Sequence, residues 1–148
     1  MVDLATRTIE DAITSNAELR ALFGEPSERS LKKERDSLDE YCRAIMAASP
    51  FALVATSGAS GRCDVSPRGD APGFALVIDD HTIALPERPG NKRTDSLTNI
   101  IENPHVGLLF IVPGKTETLR VNGRARIVRD AWLLARLAFE GKRPLVAI

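Results

Sequence analysis

Apolar positions along the chain follow two rhythms, which predict helices at both ends around a series of short strands. Ile9, Ala12 and Ile13 have helical spacing, as do Leu19, Leu22 and Phe23, before Gly24 and Pro26 end that segment. A further helix is predicted over Asp36–Ala48, where Leu38, Tyr41, Cys42, Ile45 and Met46 form one apolar face. Asp36, Asp39 and Glu40 suit its first turn and Ser49-Pro50 closes it. From Phe51 the rhythm shortens. Phe51–Thr56 reads as a strand, Ser57–Gly61 as a turn and Arg62–Ser66 as the returning strand, with Pro67 and Gly69 interrupting it. Gly73–Ile78 and His81–Leu85 form a second pair about the Asp79-Asp80 turn. A helix carrying Leu97, Ile100 and Ile101 runs to about Glu102, and Asn103-Pro104 stops it. His105–Val112 is the most apolar run and is predicted to be a central strand. Glu117–Val128 is read as one long strand whose phase shifts near Gly123, as at a bulge. Asp130 starts a short helix through Trp132, Leu133, Leu134, Leu137 and Ala138, ended by Gly141. Pro144–Ile148 has the texture of the beginning of a strand, either cut short or simply terminal.

Short strands joined by turns, one crossover helix and flanking helices predict a small antiparallel β-barrel with peripheral helices, a mostly β or α+β class. With 148 residues, 43% hydrophobic and 27% charged, the chain has an ordinary globular composition and the size of a single domain over 1–148. Its parts are peripheral N-terminal helices (1–48), a barrel core (51–128), and a C-terminal helix with the last strand (130–148). No repeat or linker divides it. Zero formal net charge and 5% aromatic residues argue against nucleic acid as a partner. No run is long enough to span a bilayer, and the first residues lack the basic and apolar regions of a signal peptide, so the expected location is the cytoplasm.

The chemistry has to be found outside the usual catalytic patterns. There is no GxGxxG, GxSxG, HExxH or P-loop, and His81 and His105 sit at strand ends without a nucleophile nearby. Cys42 and Cys63 have no metal-ligand spacing, which makes zinc an unpromising reading and leaves free thiols as the simpler one. Three basic groupings remain. The segment from Leu85 and Pro86 through Pro89 and Gly90 to Asn91, Lys92 and Arg93 leads into a helix that starts near Thr94, Asp95 and Ser96. A helix start favours an anion, and Lys and Arg beside it suit a phosphate; a solvated basic turn has the same composition. Asp64–Asp70 carries Arg68, which can reach an anion or be neutralised by Asp70. Arg120, Asn122, Arg124 and Arg126 alternate along a strand, facing solvent, a cofactor groove or a dimer seam. Side chains this poor in reactive groups, next to a phosphate-type site, point to a cofactor that brings its own reactivity.

Five segments, taken together, carry a resemblance. Phe51–Thr56, Val65-Ser-Pro-Arg-Gly-Asp70, Ala84–Arg93 with its Pro-Gly-Asn-Lys-Arg, Asn103–Phe110 and Thr118–Ala125 follow one another as in the pyridoxamine 5'-phosphate oxidase-like, FMN-binding split-barrel proteins. Within them the chain is most similar to a subgroup of probable FMN-dependent enzymes. The resemblance spans about residues 36–130. It implies an antiparallel split β-barrel, a homodimer with FMN at the subunit interface, and oxidoreductase chemistry on a small molecule. It also implies positions for the cofactor contacts. Lys92 and Arg93, with Asn91, stand where a basic pair grips the phosphate, and Leu85 and Pro86 stand beside it. Val65, Ser66, Pro67 and Arg68 match the strand that meets the flavin ring and phosphate, and Thr118 matches a polar position near the flavin. No catalytic acid or base and no metal ligand is implied. The oxidases' substrate-binding Arg/His tail and C-terminal flavin-contacting segment find no match before Ile148, which argues against that particular activity. The alternatives are a non-catalytic flavin, F420 or haem carrier, or a structural dimer whose basic residues only form salt bridges.

Overall fold

The protein is described by a computed structural model that covers residue 8 and residues 10–148. It comprises two units, one ending at Arg35 and the other spanning Asp36–Ile148. In the first, α1 (Asn16–Phe23) begins where Ser15 and Glu18 cap each other's backbone, and Gly24 ends it at φ 70°. A single turn, α2 (Glu28–Leu31), starts at Ser27. Ala12 and Ile13 are irregular because the Ser15 cap starts the helix after them, and Ile9 lies outside the described residues.

The second unit is built on a four-stranded antiparallel sheet in the order β2-β1-β6-β7. Its strands are β1 (Phe51–Ser57), β2 (Cys63–Gly69), β6 (His105–Ile111) and β7 (Thr118–Arg124). Two-stranded sheets join β3 (Leu76–Asp79) to β4 (Thr82–Ala84), and β5 (Pro86–Glu87) to β8 (Val146–Ala147). Helices α3 (Glu40–Ala48), α4 (Asp95–Glu102) and α5 (Ala131–Arg136) complete it. The architecture is the expected antiparallel split barrel, mostly β with few helices.

Strand pairing sorts the sheet into two faces. Ala52, Val54 and Thr56 of β1 share one face with Leu108 and Phe110 of β6 and with Asp64, Ser66 and Arg68 of β2. On this face Ala52, Val54 and Phe110 are fully enclosed, packed with Ile45 and Met46 of α3 and with Ala75, Leu85 and Val112. Leu133 and Leu137 close a smaller cluster against Ala84 and Ala147. The other face carries Phe51, Leu53, Val65, Pro67, Leu109 and Ile111 beside Thr118 and Arg120, and none of them is fully buried.

Several boundaries differ from the predicted ones, each for a physical reason. α3 is capped by Asp39, whose carboxylate accepts from the Cys42 amide at 2.9 Å, and starts at Glu40, not at Asp36. The preceding residues are drawn onto the β3–β4 turn: Leu38 N–H donates to the Asp80 carbonyl, and the Asp36 carbonyl lies 3.0 Å from His81 Nδ1. β2 does not stop at Ser66. It passes through Pro67 to Gly69, which an edge strand allows because a missing N–H there costs no ladder bond. The predicted strand Glu117–Val128 is shorter, ending at Arg124; Ala125 N–H then turns to the Pro104 carbonyl, and Val128 bridges Ala147 separately. α5 ends at Arg136, before Ala138 and Gly141. The last residues form β8, locked on both sides, with Leu85 and Ile148 exchanging two backbone hydrogen bonds.

Candidate functional site

The β2 strand, the start of α4 and the β5 strand meet at one corner of the second unit. Because β2 continues past Ser66, Asp64, Ser66 and Arg68 lie in a row on its inner side. Ser96, in the first turn of α4, is buried against that row. Ser96 Oγ donates to Asp64 Oδ2 at 3.1 Å and lies 2.7 Å from Ser66 Oγ. Arg68 Nη1 donates to Ser66 Oγ at 2.8 Å. Each hydroxyl has one hydrogen, which fixes the direction of the chain: Arg68 to Ser66, Ser66 to Ser96, Ser96 to Asp64. At the other end, Glu87 Oε2 stands 2.9 Å from both Nε and Nη2 of Arg68. The partner of Arg68 is thus Glu87. Asp70, read from the sequence as a candidate to neutralise it, instead receives Arg88 at 2.7 Å. Arg88 also donates to the Leu137 and Lys142 carbonyls and lies over the Phe139 ring, tying the corner to the C-terminal segment.

The basic turn lies at the head of α4. Arg93 N–H donates to Asn91 Oδ1, and its guanidinium pairs with Asp95 at 2.8 Å, both side chains largely exposed. Lys92 has no ion-pair partner among the described residues. Lys92 and Thr94 adopt left-handed backbone conformations, at φ 62° and 56°, unfavourable for residues other than Gly, Asn or Asp. Thr94, at the N-cap of α4, accepts no hydrogen bond from the first turn through its side chain. An uncapped helix start beside an unpaired Lys is compatible with a phosphate, so the donor set of this turn fits the phosphate end of FMN. Arg68 and Arg93 fit less completely, because Glu87 and Asp95 already neutralise them.

The predicted site residues divide between the two faces of the sheet. Ser66 and Arg68 stand with α4. Asn91, Lys92 and Arg93 lead into its first turn, and behind it Leu85, which joins β4 to β5, and Pro86, which begins β5, are buried. Val65 and Pro67 face the opposite side of β2. Thr118 lies on that opposite face too, in the row Gly69–Phe51–Ile111–Thr118, three strands away at the far edge. Within one chain it is therefore not brought to the turn. Arg120, Asn122 and Arg124 are exposed on the same face, whereas Arg126 lies past the end of β7. Sequence marked Ser96 only as a helix start and Asp64 only as the end of a segment, and did not single out Glu87 or Arg88. Alternation through Pro67 would have grouped Asp64 with Ser66 and Arg68; the two ion pairs are tertiary and have no local signature. Cys42 is buried and Cys63 exposed. Among the described residues no His, Cys, Asp or Glu cluster has the makings of a metal site, and no helix is long and apolar enough to cross a membrane.

The second unit is thus an antiparallel split barrel with a basic, hydroxyl-lined corner. The profile of the pyridoxamine 5'-phosphate oxidase family matches residues 38–145, well over half of the chain. The chain belongs to that family. Among solved structures it is similar to HupZ from Group A Streptococcus, with 18% identity and a TM-score of 0.59 over 74% of this chain and 84% of that one. It is also similar to a protein from Lactobacillus delbrueckii provisionally named as a pyridoxamine 5'-phosphate oxidase, with 19% identity and a TM-score of 0.58 over 77% of this chain and 88% of that one. At these identities the likeness concerns the fold alone. No curated protein matches the chain.

Proposed function

We propose that the protein is a homodimeric FMN-binding oxidoreductase of the pyridoxamine 5'-phosphate oxidase class, acting on a small molecule. The observation that carries this reading is the uncapped start of α4, preceded by Lys92 and Arg93, in a chain of this family. Lys92, Arg93 and Asn91 hold the phosphate at that turn, with Arg68 and Ser66 behind it. Leu85 and Pro86 make a rigid, buried support for the loop. Val65 and Pro67 flank the flavin from the edge strand, and Thr118 supplies a polar contact from the far side of the sheet, which calls for a second copy of the chain. When bound, the flavin supplies the hydride or electron transfer; the protein's share is to bind, orient and shield it. No acid or base is assigned.

A carrier of flavin, F420 or haem without turnover is the second reading. It is favoured by the pairing of Arg68 with Glu87 and of Arg93 with Asp95, which softens the grip on an anion and suits an exchangeable cofactor.

The test is an absorbance scan of the purified protein over the flavin bands, with FMN titrated in. FMN uptake that weakens roughly tenfold in Lys92→Ala and in Arg93→Ala supports the phosphate site, each loss being about one charge-assisted hydrogen bond. Bound flavin that NAD(P)H reduces favours the enzyme, and flavin it leaves oxidised favours the carrier. A protein that takes up no flavin removes the FMN reading.

A further inference from the structure

We propose that Glu87 is a positioning residue that competes with a phosphomonoester for Arg68 and so sets how tightly the corner takes its cofactor. The proposal rests on the flavin reading above. Glu87 is held by the sheet and not by a loose loop: it pairs with Val146 of β8, and its carbonyl accepts from the Leu145 amide at 3.0 Å. Its carboxylate meets Arg68 through one oxygen only, Oε2, at 2.9 Å from both Nε and Nη2. That is a single-point contact, weaker than the two-oxygen fork a phosphate can offer the same guanidinium. The pair is also sheltered, with side chains 17% and 22% exposed, so water screens it little.

Arg68 is two short hydrogen bonds from the first turn of α4 through Ser66 and Ser96, so an anion at that turn and the Glu87 carboxylate draw on the same cation. A phosphate carries more charge than a carboxylate at neutral pH and displaces it from the fork. Glu87, its backbone fixed, then remains nearby as a like charge. Wild-type affinity is the difference between these two effects, and removing the carboxylate leaves only the attraction.

FMN and riboflavin, which differ by the phosphate, are titrated by fluorescence into wild type, Glu87→Gln and Arg68→Gln/Glu87→Gln at low salt, with circular dichroism reporting the fold. Glu87→Gln is expected to bind FMN about tenfold more tightly and riboflavin within about twofold of wild type, one charge-assisted contact being freed. The double variant, with neither charge, falls back to within about threefold of wild type. Glu87→Asp, which keeps the charge but draws it back by one methylene, moves in the same direction by less and serves if Glu87→Gln does not fold. Unchanged or weaker FMN binding in folded Glu87→Gln overturns the proposal. So does a gain shared by riboflavin, or one that survives in the double variant. Absence of FMN uptake by wild type and Glu87→Gln alike removes the flavin reading and this proposal with it, an outcome distinct from equal uptake by both.

Discussion

At the scale of single residues the corner depends on Ser96 more than on its exposed cations. Its side chain donates to Asp64 and accepts from Ser66 while 3% exposed, so two other polar groups depend on it for satisfaction. Replacing it with Ala leaves the Asp64 carboxylate short of a donor and the Ser66 hydroxyl short of an acceptor. The cost is the desolvation of unpaired groups rather than the net worth of a hydrogen bond, and that is the larger quantity. Ser96→Ala is expected to lose about 1–3 kcal/mol, seen as a lower urea midpoint with an unchanged slope. A change below about 0.5 kcal/mol would mean that water replaces the hydroxyl. Ser49 plays a comparable part away from the site. Fully buried, it lies 2.7 Å from the carbonyls of Phe51 and Ile111 and so ties the end of α3 to the two central strands.

At the scale of elements, termini are set by side-chain hydrogen bonds as much as by apolar rhythm. The Glu18 carboxylate accepts from the amides of Thr14 and Ser15, which hold its pKa below the usual glutamate range. Its contribution to α1 is therefore complete above that range and is lost as pH falls through the lowered value. Asp79 behaves alike in the β3–β4 turn, its pKa lowered first by the His81 amide and then by the Thr82 hydroxyl. Carboxyl-carbon NMR titration should give Glu18 a midpoint below the ordinary glutamate value, with the amide shifts of residues 14–18 moving at the same pH. An ordinary midpoint would mean that the cap is open in solution. The same contrast explains what was legible in advance. Phe51–Thr56, His105–Val112 and the helix from Leu97 to Glu102 were readable because each has an unbroken apolar pattern of its own. The run through Pro67 was not, because a proline reads as a stop and only the sheet order reveals β2 as an edge where it is tolerated. The basic turn was visible as Lys92-Arg93, with Asp95, the partner of Arg93, two positions on. The neutralisation of Arg68 was hidden, because Glu87 is nineteen positions from it in sequence and only the fold joins them.

At the scale of the whole molecule, the apolar side of the sheet that α3 and α4 do not cover remains. Its rows are Val65–Ala55–Gly107–Asn122, Pro67–Leu53–Leu109–Arg120 and Gly69–Phe51–Ile111–Thr118, apolar in the middle and polar along the β7 edge. Val65 is 59% exposed at one side of it. An antiparallel sheet normally turns one polar face to water, so a face with Leu53, Leu109, Phe51 and Ile111 on its two central strands needs cover. A second copy of the chain supplies it in the homodimer we propose, with the patch meeting itself across a two-fold axis. Leu53 and Leu109 are cross-strand neighbours at its centre and belong to neither buried cluster, so the fold can survive a charge there. Wild type is expected to sediment as a dimer at tens of micromolar, a working range for which an interface of standard size suffices. Leu109→Glu should sediment as a folded monomer. An uncompensated buried carboxylate costs about 3–5 kcal/mol, and the two-fold axis counts it twice, so dissociation should strengthen by at least about a thousandfold. Thr118 and Arg68 lie on opposite faces of one chain, so under the proposed function only the proposed dimer would let both serve one cofactor. Leu109→Glu should therefore weaken FMN binding along with association, and a monomer that keeps full FMN affinity would confine the cofactor to the α4 corner alone.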